Sequence, residues 1–131
     1  MTVYLPDTTF LVDFEHGQPH ALSFAQDCLR RSDTMVTCLI IVAEYYSGRV
    51  PAQRPELDEL IQACDYWEMN REVGLVAARH RLESRRQGIQ IHLPDALVAA
   101  LAFVRGATVV TENPKDFQMT GLDVLSLRPS V

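Results

Sequence analysis

Long apolar runs are missing from this 131-residue chain; none approaches the roughly 20 residues that a membrane helix needs. The N-terminus also lacks the basic start, apolar stretch and small-residue cleavage site of a secretory leader, so no membrane role is expected. Cysteine is scarce: Cys28, Cys38 and Cys64 are odd in number, widely spaced and without a C-x-x-C pair. Each falls on an apolar face, which predicts buried free thiols and a reducing cytoplasm as the setting. The four histidines (His16, His20, His80 and His92) show no H-x-x-x-H or Cys-His spacing, which argues against zinc. No serine stands in a G-x-S-x-G context, so a serine hydrolase has no support. Basic residues are also outnumbered: 12 Lys and Arg against 17 Asp and Glu leave a net charge of -5. That sum counts against a nucleic-acid binder, which needs cations to neutralise phosphate. Its distribution keeps the question open. Arg79, Arg81, Arg85 and Arg86 cluster, Arg30 and Arg31 form a pair, and acids gathered around a cation would have part of their charge cancelled.

What is present suits one folded domain over residues 1–131. A 47% hydrophobic content supplies a core, and 22% charged residues argue against disorder. Val3 to Asp7 reads as a first strand, which Pro6 is expected to stop early. Thr8 or Thr9 is placed to cap a short helix through Phe14. Between His20 and Arg31, Ala21, Phe24, Ala25 and Cys28 fall at helical spacing. Met35 to Thr37 reads as a second strand, with Thr37 as the cap of a helix from Leu39 to Tyr46, closed by Gly48 and Pro51. Leu57, Leu60, Ile61 and Cys64 repeat the helical pattern. Tyr66 to Met69 reads as a third strand, and Asn70 caps a long helix reaching Gln87, ended by Gly88. Pro94-Asp95 opens a helix with Leu97, Ala100, Leu101 and Val104 on one face, stopped by Gly106. Thr108 to Thr111 and Asp123 to Leu127 read as the last strands. Strands alternating with helices predict an α/β domain with a mainly parallel sheet of four or five strands and helices on both faces. Ligands of such sheets bind beyond the carboxyl ends of the strands.

That rule selects Asp7, Glu44, Asp95 and the Glu112 to Asp116 stretch. Each acid has an ordinary alternative. Asp7 and Asp95 could be turn or helix-start residues and Asp116 a loop acid. Glu44, set among Ile40, Ile41, Val42, Ala43 and Tyr45, is harder to explain as an unpaired carboxylate. Brought together, four carboxylates repel unless protonated or bound to a cation. Oxygen ligands without Cys or His favour Mg²⁺ or Mn²⁺, and such sites serve phosphodiester chemistry. Asp95 would also face the positive end of its helix, which favours ionisation.

Asp7-Thr8-Thr9 after a first strand, Glu44 in an early helix, Asp95-Ala-Leu-Val-Ala-Ala-Leu-Ala102 and Thr111-Glu-Asn-Pro-Lys-Asp-Phe117 together resemble the PIN-domain family, and more narrowly VapC-type toxins of toxin–antitoxin pairs. The resemblance runs through nearly the whole chain, with the Asp95 helix and the 111–117 segment as its most specific parts. It implies a Mg²⁺- or Mn²⁺-dependent endoribonuclease that cleaves RNA phosphodiesters with a metal-activated water, leaving 5′-phosphate and 3′-hydroxyl ends. Asp7, Glu44 and Asp95 match the core acids and Asp116 the more variable fourth. Thr8 or Thr9 and Thr111 match hydroxyls that contact the site, and Asn113 a polar residue lining it. A homodimer and an inhibitory antitoxin partner are implied as well. Glu112 stands where the family commonly has Arg, and could add a further acid.

Arg79, Arg85 and Arg86 are candidates to hold RNA backbone, against the alternative of a solvated helix face. His92 could reach the site, though an ordinary loop histidine is the simpler reading. Tyr45, Tyr46, Tyr66 and Trp67 read as packing or interface residues. A haloacid-dehalogenase phosphatase would need D-x-D, where this chain has Thr9, and a receiver domain lacks its further acid at the third strand end. A DNA-directed nuclease of related fold usually needs extra helices. The rival from another class is a catalytically weak RNA-binding or interaction module that keeps the fold.

Overall fold

The computed structural model describes residues 1–50 and 55–129, apart from the side chains at 56 and 57. Expectations placed on Pro51 and on the Leu57 side chain lie outside the described residues. In chain order the elements are β1 (Val3–Pro6), α1 (Thr8–Glu15), α2 (Pro19–Arg31), β2 (Thr34–Cys38), α3 (Leu39–Tyr46) and α4 (Pro55–Ala63). There follow β3 (Asp65–Trp67), α5 (Arg71–Arg86), α6 (Leu93–Arg105), β4 (Thr108–Val110), a 3₁₀ turn (Pro114–Phe117) and β5 (Val124–Leu125). Every strand pair is parallel, and the order across the sheet is β3-β2-β1-β4-β5. The chain therefore winds outward from β1 through β2 to β3, then crosses back to build β4 and β5 on the other side. Right-handed crossovers put α1 to α4 on one face and α5 with α6 on the other. α1 packs on α2, α3 and α4, and α5 packs along α6.

Helix α2 buries Ala21, Phe24, Ala25 and Cys28, the face its spacing predicts. Phe24 meets the rings of Tyr4 at 4.9 Å and Phe10 at 5.7 Å, both edge-on. In α6 the run from Val98 to Ala102 is buried nearly all round. Its alanines let the sheet and α5 approach closely. Gly106 ends the helix at φ 78, a left-handed conformation that costs glycine no Cβ clash.

Several expectations are corrected. β1 runs through Pro6, which pairs in register with Val110. Asp7 gives its N–H to Val110 O, so the N–H that Pro6 lacks would point toward β2, where pairing already ends at Tyr4 and Met35. The cap of α1 is Asp7 rather than a threonine, and Cys38, with no side-chain bond, takes the cap position given to Thr37. β3 lies at Asp65–Trp67, short of Glu68 and Met69. Cys28 and Cys38 are buried free thiols, but Cys64 is half-buried; its Sγ donates to Leu60 O at 3.2 Å. Among the described residues no helix is long and apolar enough to cross a membrane.

Candidate active site

The sheet order places a topological switch between β1 and β4, whose following connections leave in opposite directions and open a crevice at their carboxyl ends. Asp7 directly follows β1 and Thr111 directly follows β4.

Asp7 is 6% exposed and surrounded by donors. Its Oδ1 accepts Thr9 N–H at 2.9 Å, Phe10 N–H at 3.3 Å and the Thr9 hydroxyl at 2.5 Å. Its Oδ2 accepts the Thr111 hydroxyl at 2.6 Å. Each threonine has one proton, given to Asp7, and each accepts a backbone N–H from the turn beyond β4: Glu112 N–H to Thr9 at 2.9 Å, Asn113 N–H to Thr111 at 3.0 Å. The supporting hydroxyl is thus Thr9's. Thr8, one residue and a 100° rotation away on α1, makes no described hydrogen bond to Asp7. Burial raises the Asp7 pKa, and the Thr111, Thr9 and Phe10 hydrogen bonds oppose that rise.

The other acids arrive from three elements. Asp95 sits in the first turn of α6, and desolvation followed by the charges of Asp116, Glu44 and Asp7 pushes its pKa up to about 6. His92 pulls in the opposite direction. Glu44 is raised by partial desolvation and then by Asp7. Its apolar neighbours in sequence do not enclose it: Glu44 is exposed on α3, one turn beyond Ile40 and Ile41, of which only Ile41 is buried. Asp116 is carried by the 3₁₀ turn, anchored by buried Phe117, and accepts a short hydrogen bond from Asn113 Nδ2. The structure therefore brings Asp7, Glu44 and Asp116 within reach of Asp95, and Asp7 within reach of Glu44. Among the described residues none of the four has an ion-pair partner, and the Glu44 and Asp95 carboxylates accept no hydrogen bond.

The donor set fits a hard divalent cation: carboxylates only, facing one another without compensating charge. No three of them bring oxygens within 4.8 Å among the described residues, as expected for repelling carboxylates. The trio that does is Asp13, His20 and Glu112, of which the sequence singled out only Glu112. It already holds a cation of its own. Arg128 gives Nε and Nη2 to buried Asp13 at 2.8 Å each, and His20 Nε2 lies 2.8 Å from Asp13 Oδ2. Glu112 accepts the N–H groups of Leu127 at 2.9 Å and Arg128 at 3.0 Å. Glu112 is therefore not a further acid of the site. It ties the segment after β5 to the turn that supports Asp7.

Arg79, Arg85 and Arg86 stand exposed on α5, and Arg86 pairs with Glu83 at 3.2 Å. None of them is among the groups that shift Asp95. Tyr45 is buried, with its hydroxyl on Glu15 at 2.6 Å, and Trp67 lies under the Arg105 guanidinium at 4.2 Å.

The chain as a whole is similar to known proteins. The chain is similar to ribonuclease VapC2 of Rickettsia felis, 24% identical over 121 residues that cover 88% of this chain and 90% of that protein. Among solved structures, VapBC2 from Rickettsia felis bound to a DNA fragment from its promoter matches with a TM-score of 0.81 at 21% identity, over 95% of this chain and 98% of that one. DNA-bound VapBC from Salmonella typhimurium matches with a TM-score of 0.78 at 21% identity, over 98% and 100%. At these identities the structural likeness speaks for the fold. The PIN domain family itself matches residues 4–121, and the chain belongs to that family.

Proposed function

We propose that this protein is a divalent-cation-dependent endoribonuclease, the toxin of a toxin–antitoxin pair acting in the cytoplasm. The observation that carries the reading is the convergence of four uncompensated carboxylates at the switch point, with Asp95 pushed up to about 6 by burial and its three acidic neighbours. Asp7, Glu44, Asp95 and Asp116 are assigned to hold Mg²⁺ or Mn²⁺. When bound, that cation supplies water activation and charge neutralisation for phosphodiester hydrolysis. The protein's own groups set the geometry. Thr9 and Thr111 fix the Asp7 carboxylate, Asn113 fixes Asp116, and the start of α6 favours the ionised form of Asp95. Thr8 leads the helix that Asp7 caps. RNA backbone is assigned to arginines of α5. The VapC and VapBC likenesses support an antitoxin partner, and a homodimer completes the proposed assembly.

Incubating the protein with transfer RNA and structured RNAs in Mn²⁺, Mg²⁺ or chelator, beside Asp7→Asn, tests the reading. Cleavage that needs the cation and disappears in the variant is the expected result. Cleavage that persists in chelator or in Asp7→Asn would refute it.

A further inference from the structure

Five arginines of this acidic chain pair with a carboxylate among the described residues. Arg30 pairs with Asp27, Arg31 with Asp33, Arg49 with Glu15, Arg86 with Glu83 and Arg128 with Asp13. Arg81 and Arg85 have no carboxylate partner among the described residues. They are four apart on α5, so they share a face, and a like-charged pair at that spacing destabilises an isolated helix. The two line a half-open cavity of about 370 Å³ together with Gly88, Ile89, Gln90 and Ile91. Gly88, at φ 78, turns the chain back beneath them. Arg81 donates Nε to Ile91 O at 3.0 Å, which fixes the plane of its guanidinium and leaves its terminal nitrogens for another acceptor.

We infer that this pocket, with Arg81 and Arg85 as its two forks, seats a backbone phosphate of the RNA strand. The inference rests on the ribonuclease reading and sharpens it. The lining holds no acid to repel an anion and no aromatic ring on which a base could stack, so the fit is to phosphate oxygens rather than to a nucleobase. The segment that lines the pocket runs through His92 directly into the first turn of α6, which carries Asp95. A phosphate held there is tied along the chain to the acid site. Arg79 does not line the pocket, and Arg86 is held by Glu83.

The test is the salt dependence of binding to a fluorescent single-stranded RNA in chelator, where no cleavage is expected. Arg85→Gln makes the cleaner variant, because Arg81→Gln also removes the bond to Ile91; Arg30→Gln, on the far helix α2, is the control. Arg85→Gln should weaken binding about fivefold to tenfold and lower the salt slope by about 1, with the control unchanged. Wild-type binding with an unaltered slope in Arg85→Gln would overturn the pocket while leaving the ribonuclease reading intact. No RNA binding by the wild type would remove both. Inorganic phosphate, titrated at constant ionic strength, should compete with RNA. Phosphate that binds through Arg85 without displacing RNA would make this a free-anion site and overturn the assignment.

Discussion

Two carboxylate clusters in this molecule share the turn after β4 and are built on opposite principles. Around Asp13 every charge is answered: Arg128 and His20 meet its carboxylate, Glu112 accepts backbone N–H groups, and the Arg128 guanidinium holds the Asp13 pKa below the usual carboxylate range. Around Asp95 no acid has an ion-pair partner among the described residues: hydrogen bonds reach only Asp7 and Asp116, and Asp7, Glu44 and Asp95 are all raised. A buried carboxylate with a fixed guanidinium serves the fold. Carboxylates left facing one another leave room for a cation from solution. The turn 111–113 couples the two, because Thr111 supports Asp7 while Glu112 grips the segment after β5.

The largest break in this comparison should come from Asp95→Asn or Asp7→Asn. RNA cleavage should fall on the order of a thousandfold or more while the circular dichroism spectrum stays that of the wild type. Asp95→Asn should also raise the Tm of the metal-free protein, because it removes repulsion.

On the compensated side, Arg128→Ala leaves the buried Asp13 carboxylate with His20 alone. Arg128 is more than half exposed, so the cost is discounted from that of a fully buried pair, to about 2 kcal/mol. Denaturant melts should show that loss, with cation affinity nearly unchanged. Glu112→Gln cuts the acceptors for Leu127 and Arg128 and loosens the turn that orients Thr9 and Thr111. Cation affinity should drop about tenfold, the scale of a residue acting on a ligand through its support.

The smallest effect is in pH. Asp95 has a folded-state pKa of about 6 against 3.8 for the ordinary group, so the folded chain holds an extra proton between those values. Full linkage as pH falls from 7 to 4.5 is about 2 kcal/mol; discounted for the partial exposure of Asp95, metal-free protein should gain about 1 kcal/mol over that range. Asp13 is lowered, so its contribution is present above 3.8 and is lost only as pH falls through its folded-state value. Urea unfolding in chelator at pH 7, 5.5 and 4.5 checks the gain, and Asp95→Asn should flatten it.

Much of the uncompensated cluster was legible in sequence because Asp7 follows a strand, Asp95 opens a helix, and Glu44 and Asp116 lie on the connections that leave β2 and β4, positions that the parallel fold converges. The α2 face was legible for a similar reason: Ala21, Phe24, Ala25 and Cys28 are a local repeat. The compensated cluster was not, since Asp13 and Arg128 lie 115 residues apart and only the docking of the segment after β5 joins them. The choice of Thr9 over Thr8 also escaped the sequence, because it depends on the rotation of α1 relative to Asp7. Glu44 misled in another way. It sits among apolar residues along the chain and yet is exposed, because the face of α3 it shares with Ile40 is only partly covered.

The most direct test of the central claim is a calorimetric titration of Mn²⁺ into wild type, Asp95→Asn and His20→Gln. The account predicts binding in wild type and in His20→Gln, which keeps the Asp13–Arg128 pair, and loss of binding in Asp95→Asn. Binding that survives Asp95→Asn and disappears in His20→Gln would move the cation to the Asp13 cluster and contradict the account.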